Sequence, residues 1–189
     1  MSLRHLVAAS LCVASTGVSA AAQTFDINLN NNVAMLTYTS PLGQQGFGHG
    51  QAEGSILFTD EDAFLGDVGF GVVGPAGSGS PGLLVGVGVK LYGVNTKNND
   101  VAALAVGGQF DYAPPPLPRL RFGGSINFAP SIVTFIDGDR LSTTNVYIGY
   151  EIFQNAVAYL GYRHIKVDIH NGRDVTVDSG GNLGIKFAF

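Results

Sequence analysis

From residue 24 to residue 189, apolar side chains alternate with small or polar ones at a period of two. That period sends successive side chains to opposite faces of an extended chain, so it specifies β-strands with one apolar face each. Two short runs within 24–39 are followed by runs at 48–59, 63–74, 82–94, 101–112, 119–130, 143–153, 156–169 and 176–189. In the fifth, Leu83, Val85, Val87, Val89 and Leu91 oppose Gly86, Gly88 and Lys90. In the eighth, Val146, Ile148, Tyr150 and Ile152 oppose Asn145, Tyr147, Gly149 and Glu151. None of these runs carries a helical period.

Ten such strands suit two architectures. In a soluble sandwich the apolar faces form the core. In an all-β, antiparallel, up-and-down transmembrane barrel they meet lipid, and the other faces line the lumen. Charged residues make up only 13% of the chain, and 27 residues are Gly. The second faces therefore lack the Lys and Glu that coat soluble sheets, and carry the small residues that a narrow barrel interior accepts. The connectors point the same way. Gly43 to Gly46, Gly74 to Gly82, Ala113 to Pro116 and Gln154-Asn155 are nearly uncharged. The alternate set, Asp60-Glu61-Asp62, Lys97 to Asp100, Asp137 to Arg140 and His170 to Asp174, is charged, and the connector after the seventh strand is the longest. One plain rim and one charged rim are expected of periplasmic turns and extracellular loops. Ten strands place both termini on the plain rim. The first hairpin, around Asn30-Asn31-Asn32, is short for a membrane strand pair; if residues 24–40 contribute otherwise, the barrel has eight strands. Tyr38, Tyr112, Phe122, Tyr150 and Phe187 gather toward the plain rim, and Phe58, Phe64, Phe128 and Tyr162 toward the charged one. Two such belts suit a barrel seated between headgroup layers.

Several classes are excluded. A net charge of −4 does not suit a nucleic-acid binder. A single Cys builds neither a disulfide framework nor a cysteine zinc site. No run of 18 apolar residues is present to form a membrane helix. Residues 1–22 read as a signal peptide: Arg4 and His5, an apolar stretch from Leu6 to Ala14, then small residues around Ala20. Cys12 leaves with it, and residues 23–189 form the barrel. The sequence ends Asn182-Leu183-Gly184-Ile185-Lys186-Phe187-Ala188-Phe189. This resembles the C-terminal signal that bacterial outer-membrane barrels present to their insertion machinery, with Asn182, Gly184, Phe187 and Phe189 as its marks.

The chain also resembles the YfaZ family of bacterial outer-membrane proteins. The resemblance rests on GVGVKLY from Gly86 to Tyr92, ALAVGGQ from Ala103, Phe128-Ala129-Pro130 and Gly161-Tyr162-Arg163, in that order over nearly the whole mature chain. Asn127-Phe128 stands where family members often carry paired aromatics before Ala-Pro. The resemblance implies an outer-membrane barrel of the Gram-negative cell envelope and carries over no functional residues.

Strand parity places Asp26, Glu53, Asp67, Asp111 and Glu151 on the inner face with Lys90, Arg121, Arg163 and Lys186. Charge on the lipid face costs about 2–4 kcal/mol at the midplane for Arg or Lys, which favours this assignment. Such a network braces a filled lumen or lines a narrow, porin-like channel. The inner glycines, Gly69, Gly71, Gly86, Gly88, Gly107, Gly123, Gly149 and Gly161, would leave room for a conduit.

The expected function is a structural or narrow-channel outer-membrane barrel, not an enzyme, with no cofactor or metal. Its expected partners are outer-membrane lipid and the insertion machinery, and a monomer is expected. Two alternatives belong to other classes. One is a barrel enzyme acting on outer-leaflet lipid through His164, with Ser142 or Thr144 as the hydroxyl and Asp168 and His170 nearby. The other is a soluble barrel that binds a small apolar ligand, against which the charged inner face speaks. His49 and His170 fall at opposite rims, so they do not share a metal.

Overall fold

A computed structural model describes residues 22–45, 48–60, 63–96, 100–136, 138–169 and 173–189. The signal peptide, Cys12 included, lies outside them apart from Ala22. So do Gly46, Glu61, Asp62, Lys97 to Asn99, Asp137 and His170 to Gly172 of the connectors.

The strands are β1 (Thr24–Leu29), β2 (Val33–Gln45), β3 (Gly48–Thr59), β4 (Phe64–Pro75), β5 (Leu83–Asn95), β6 (Asp100–Tyr112), β7 (Leu120–Ala129), β8 (Thr134–Ile136), β9 (Gly138–Phe153), β10 (Ala156–Ile169) and β11 (Arg173–Ala188). All pairings are antiparallel between sequence neighbours, save where β8 intervenes and where the sheet closes. Closure is made by the short first strand, which pairs with β2 (Thr24↔Thr39) and with β11 (Thr24↔Ala188). Six residues suffice, and the barrel has ten staves rather than eight. The three-residue β8 is not a further stave. It pairs with Val101–Ala103 of β6 above the point where β7 stops, and so completes the wall there.

The first hairpin turns on its asparagines. The Asn32 amide donates to Asn30 Oδ1 at 2.9 Å, and the Asn30 amide to the Val33 carbonyl at 2.9 Å. Such side-chain closure is what Asn offers a tight turn. Strands on the charged side run further than their patterns suggest. β9 begins at Gly138 and β11 at Arg173.

The outer wall carries a continuous apolar band. Val87, Phe70, Ile126, Leu160 and Leu183 are each more than half exposed. On β5 it runs from Leu83 to Leu91, ~20 Å in height for a tilted strand. Phe58 and Phe64 pack at 5.3 Å between ring centroids at its upper edge, by the charged rim.

Beyond that edge the pattern inverts. On β10, Leu160 and Tyr162 point out while Tyr159 and Arg163 are buried inside; further along, Ile165 and Val167 are buried inside and Lys166 and Asp168 lie outside. On β9, Val146 and Ile148 point out, whereas toward the charged rim Leu141 is buried in the lumen and Arg140 is exposed. The upper third of the barrel is therefore built like a water-soluble barrel, with polar groups outside and apolar ones within. Its core gathers Val33, Leu57, Leu65, Val94, Val101, Leu141, Ile165 and Val167 with small residues such as Ala103 and Ala129. The small-and-charged interior expected from the sequence holds only for the plain-rim half.

Candidate functional site

Below this apolar plug the lumen is a chamber of about 880 Å³ that reaches the plain rim at Ala22, His49, Leu84, Gln154 and Asn155. Its inner end is formed by Leu65, Tyr92 and Ile165, which belong to the plug. Within the plug a void of about 10 Å³ lies between Val94, Val101, Val167 and Val177, room for one water at most.

All nine charged residues assigned inward by parity line this chamber. They fall into three clusters spaced around the wall. On β3, β4 and β5, Lys90 pairs closely with Glu53 and lies 3.6 Å from Asp67, which accepts a hydrogen bond from Ser55. On β6, β7 and β9, Arg121 lies 3.1 Å from Asp111 and 3.6 Å from Glu151, and the Tyr147 hydroxyl donates to Asp111. The third cluster spans the closure. Arg163 Nε donates to Asp178 at 2.5 Å and its Nη1 to Asn28 Oδ1 at 2.8 Å. Asn28 Nδ2 donates to Asn182 Oδ1 at 2.7 Å and to the Tyr159 hydroxyl at 2.9 Å. Tyr159 in turn donates to Asp26 at 2.6 Å, and Lys186 stands 4.0 Å from Asp26 and 5.0 Å over the Tyr147 ring.

Neighbouring side chains fill the space beside several of the inner glycines. A Cβ on Gly123 would stand 2.4 Å from the Tyr147 ring, and one on Gly184 would stand 2.3 Å from that of Tyr159. Each tyrosine lies across a glycine of the adjacent strand, the cover that aromatic rings give strand glycines. Lys90 covers Gly69 and Asn127 covers Gly107 in the same way.

Asp178, Asn28, Tyr147 and Tyr159 were not among the expected site residues. Parity was the available signal for Asp178, since it shares the inner face with Asn182, Gly184 and Lys186; a β-bulge between it and Thr176 ends that phase. Of the four C-terminal residues, Asn182 is buried in the lumen network and Gly184 lies under Tyr159. Phe187 and Phe189 are exposed on the outside, and the Phe189 amide donates to the Gln23 carbonyl at 3.0 Å. His49 stands at the chamber mouth. His164 does not use Ser142 or Thr144: its Nδ1 lies 3.1 Å from Ser179 Oγ on β11, on the outer wall. Among the described residues no group of three or more His, Cys, Asp or Glu could hold a metal ion.

Fold and lumen together define a closed, ten-stranded antiparallel barrel with a charged half-lumen under an apolar plug. The chain belongs to the YfaZ family, whose model, described as YfaZ precursor, matches residues 2–189. No curated protein matches the sequence. Among solved structures, the KdgM porin is similar at a TM-score of 0.47 and 13% identity, over 89% of this chain and 99% of that one. The outer membrane channel DcaP of Acinetobacter baumannii is similar at 0.46 and 16%, over 87% of this chain and 54% of that one. OmpT of Vibrio cholerae is similar at 0.41 and 14%, over 83% and 56%.

Proposed function

We propose that the protein is an outer-membrane barrel with a sealed lumen: a structural barrel enclosing a blind chamber open to the periplasm, and not a standing pore. The observation that carries this reading is the plug. Leu57, Leu65, Leu141 and Val167 are fully buried inside the wall, and interiors packed to this degree leave no path for hydrated ions. The exposed apolar band supports the seat in lipid, since a wall of this kind in water is an aggregation surface. The nearly uncharged connectors at the chamber mouth support its facing the periplasm. Planar-bilayer recording of the purified protein tests the sealed lumen. Wild-type protein is expected to give no steps above the lipid background, and regular steps would overturn the reading.

One observation favours a second reading, acyl-ester chemistry on outer-leaflet lipid. His164 Nδ1 lies 3.1 Å from Ser179 Oγ, and the Tyr162 hydroxyl lies 3.2 Å from the same oxygen. An imidazole so placed can act as the base that activates a hydroxyl nucleophile, but no carboxylate contacts His164 among the described residues. Lipid profiles of cells carrying Ser179→Ala should match wild type under the first reading and differ under the second.

A further inference from the structure

Beyond the apolar band the outer wall of β9 and β10 is polar, with Arg140, Lys166 and Asp168 outside and Leu141, Ile165 and Val167 turned in. The connector from β7 to β9 breaks this pattern. Its single 3-10 turn, Ser131–Val133, leaves Ile132 84% exposed, and β8 leaves Phe135 55% exposed. On the other side of the segment Val133 packs against the plug, and Thr134 is buried against Gly138 of β9. The connector is thus fixed to the wall and presents an apolar face outward. That face continues the exposed band: Phe135 pairs with Ala102, and Leu104 and Val106 follow on the same outer side of β6. A second observation is charge. The exposed Arg140 guanidinium lies 5.7 Å over the ring of Phe128, at the upper end of the band. Among the described residues no carboxylate pairs with it. Lys166 on the next strand is instead held by Asp168 at 3.0 Å and Asp174 at 2.7 Å.

Resting on the outer-membrane seat proposed above, we propose that this corner of the wall is a contact site for an anionic, phosphate-bearing lipid of the outer leaflet. Its acyl chains lie against Ile132, Phe135 and Leu104, and its phosphate meets Arg140. The two halves of the site select this occupant together. A free phosphate ion uses the guanidinium but leaves Ile132 and Phe135 in water, where apolar surface is unfavourable. A zwitterionic lipid covers the apolar face but brings an ammonium to an arginine that has no anion. An anionic lipid answers both. The planar guanidinium fork matches phosphate oxygens two at a time, and a ring beneath it holds it at the edge of the apolar wall, the contact that aromatic faces make with cations.

The chain has no Trp, so Ile132→Trp is a single fluorescent reporter in the full mature barrel folded into phosphatidylcholine liposomes. A minor fraction of phosphatidylglycerol, brominated near the headgroup end of its chains, should quench it more than the same fraction of brominated phosphatidylcholine. One basic group near an anionic lipid corresponds to a local enrichment of roughly fivefold. That excess should shrink as sodium chloride is raised. Arg140→Gln should remove it and leave quenching by brominated phosphatidylcholine unchanged. Equal quenching by the two lipids, or an excess that survives Arg140→Gln, overturns the proposal. So does an unquenched Ile132→Trp, the result expected of a face that stands in water and serves a protein partner. Val87→Trp, in the middle of the band, separates this failure from failure of the seat in lipid. If lipid brominated deep in its chains quenches Val87→Trp while Ile132→Trp stays unquenched, the seat stands and the site falls. If Val87→Trp is unquenched, the seat itself falls.

Discussion

Placing an arginine at Val87 measures what the outer wall faces. Val87 is 72% exposed in the centre of the outer face of β5, between Val85 and Val89, and pairs with Val72 of β4 and Gly108 of β6. If the wall meets lipid, Val87→Arg takes a guanidinium to mid-depth and costs about 2–4 kcal/mol. At 1.4 kcal/mol per tenfold, that is a ~30- to ~700-fold loss in the folding equilibrium. If the wall meets water, an exposed substitution costs within about 0.5 kcal/mol either way. Arginine placed in turn at Leu83, Val85, Val87, Val89 and Leu91 should therefore trace a peak, with costs of ~0–1 kcal/mol at the ends. The chain has no Trp, so the folded fraction is read in a denaturant titration into liposomes by heat-modifiable gel mobility. A flat profile below ~0.5 kcal/mol at all five positions would refute the lipid-facing assignment, and with it the outer-membrane reading.

Four further expectations use the same titration. Leu141→Ala should cost about 2.7–5.0 kcal/mol, because Leu141 is fully buried in the plug; a cost under ~1 kcal/mol would mean the lumen is wet at that level. Gly184→Val should displace the Tyr159 ring from its bonds to Asp26 and Asn28. It should cost less in a Tyr159→Ala background than in wild type, and simple additivity would argue against the contact. Arg163→Leu leaves Asp178 buried and uncompensated and should cost about 3–5 kcal/mol, with the Arg163→Leu/Asp178→Leu double variant the more stable of the two; a double variant worse than Arg163→Leu contradicts this. Ile136 is the one non-glycine described residue at positive φ, 72°. Relief of that left-handed strain by Ile136→Gly should gain ~1 kcal/mol, and a loss would show the segment is held by contacts of the isoleucine side chain.

Strand identity was legible because alternation is a local property. Val85, Val87 and Val89 share a face whatever lies beyond it, and the inward charges followed from the same counting. The short β1 left eight strands open as an alternative, and the ten-strand expectation held, because closure needs only the pairs to β2 and β11 that its six residues make. The network partners were less legible. Tyr147 and Tyr159 read as ordinary strand aromatics, and only the glycines opposite them, Gly123 and Gly184, give them room to lie across the lumen. The Ser179 contact of His164 depends on register between β10 and β11, which no single-strand pattern carries.

The plug left a trace in the sequence that period-two counting alone passes over. On β10 the apolar phase is even at Leu160 and Tyr162, and odd at Ile165 and Val167. On β9 it is even at Val146 and Ile148, and odd at Leu141. Alternation is preserved through both changes, so the strand signal does not weaken where the buried face switches. One physical rule produces both phases. Apolar groups leave water, toward lipid where the wall is in the membrane and toward the lumen where it stands in the aqueous phase. On the proposed outer-membrane reading, the switch near residue 164 on β10 and between 141 and 146 on β9 marks the membrane edge on each strand. It falls beside Phe128 and Tyr162, two of the exposed aromatics near the charged rim. Where the strands stand in the aqueous phase, an apolar filling of the lumen is one way to bury their apolar face. Here that filling is Leu57, Leu65, Leu141 and Val167, the packing on which the proposed sealed chamber rests.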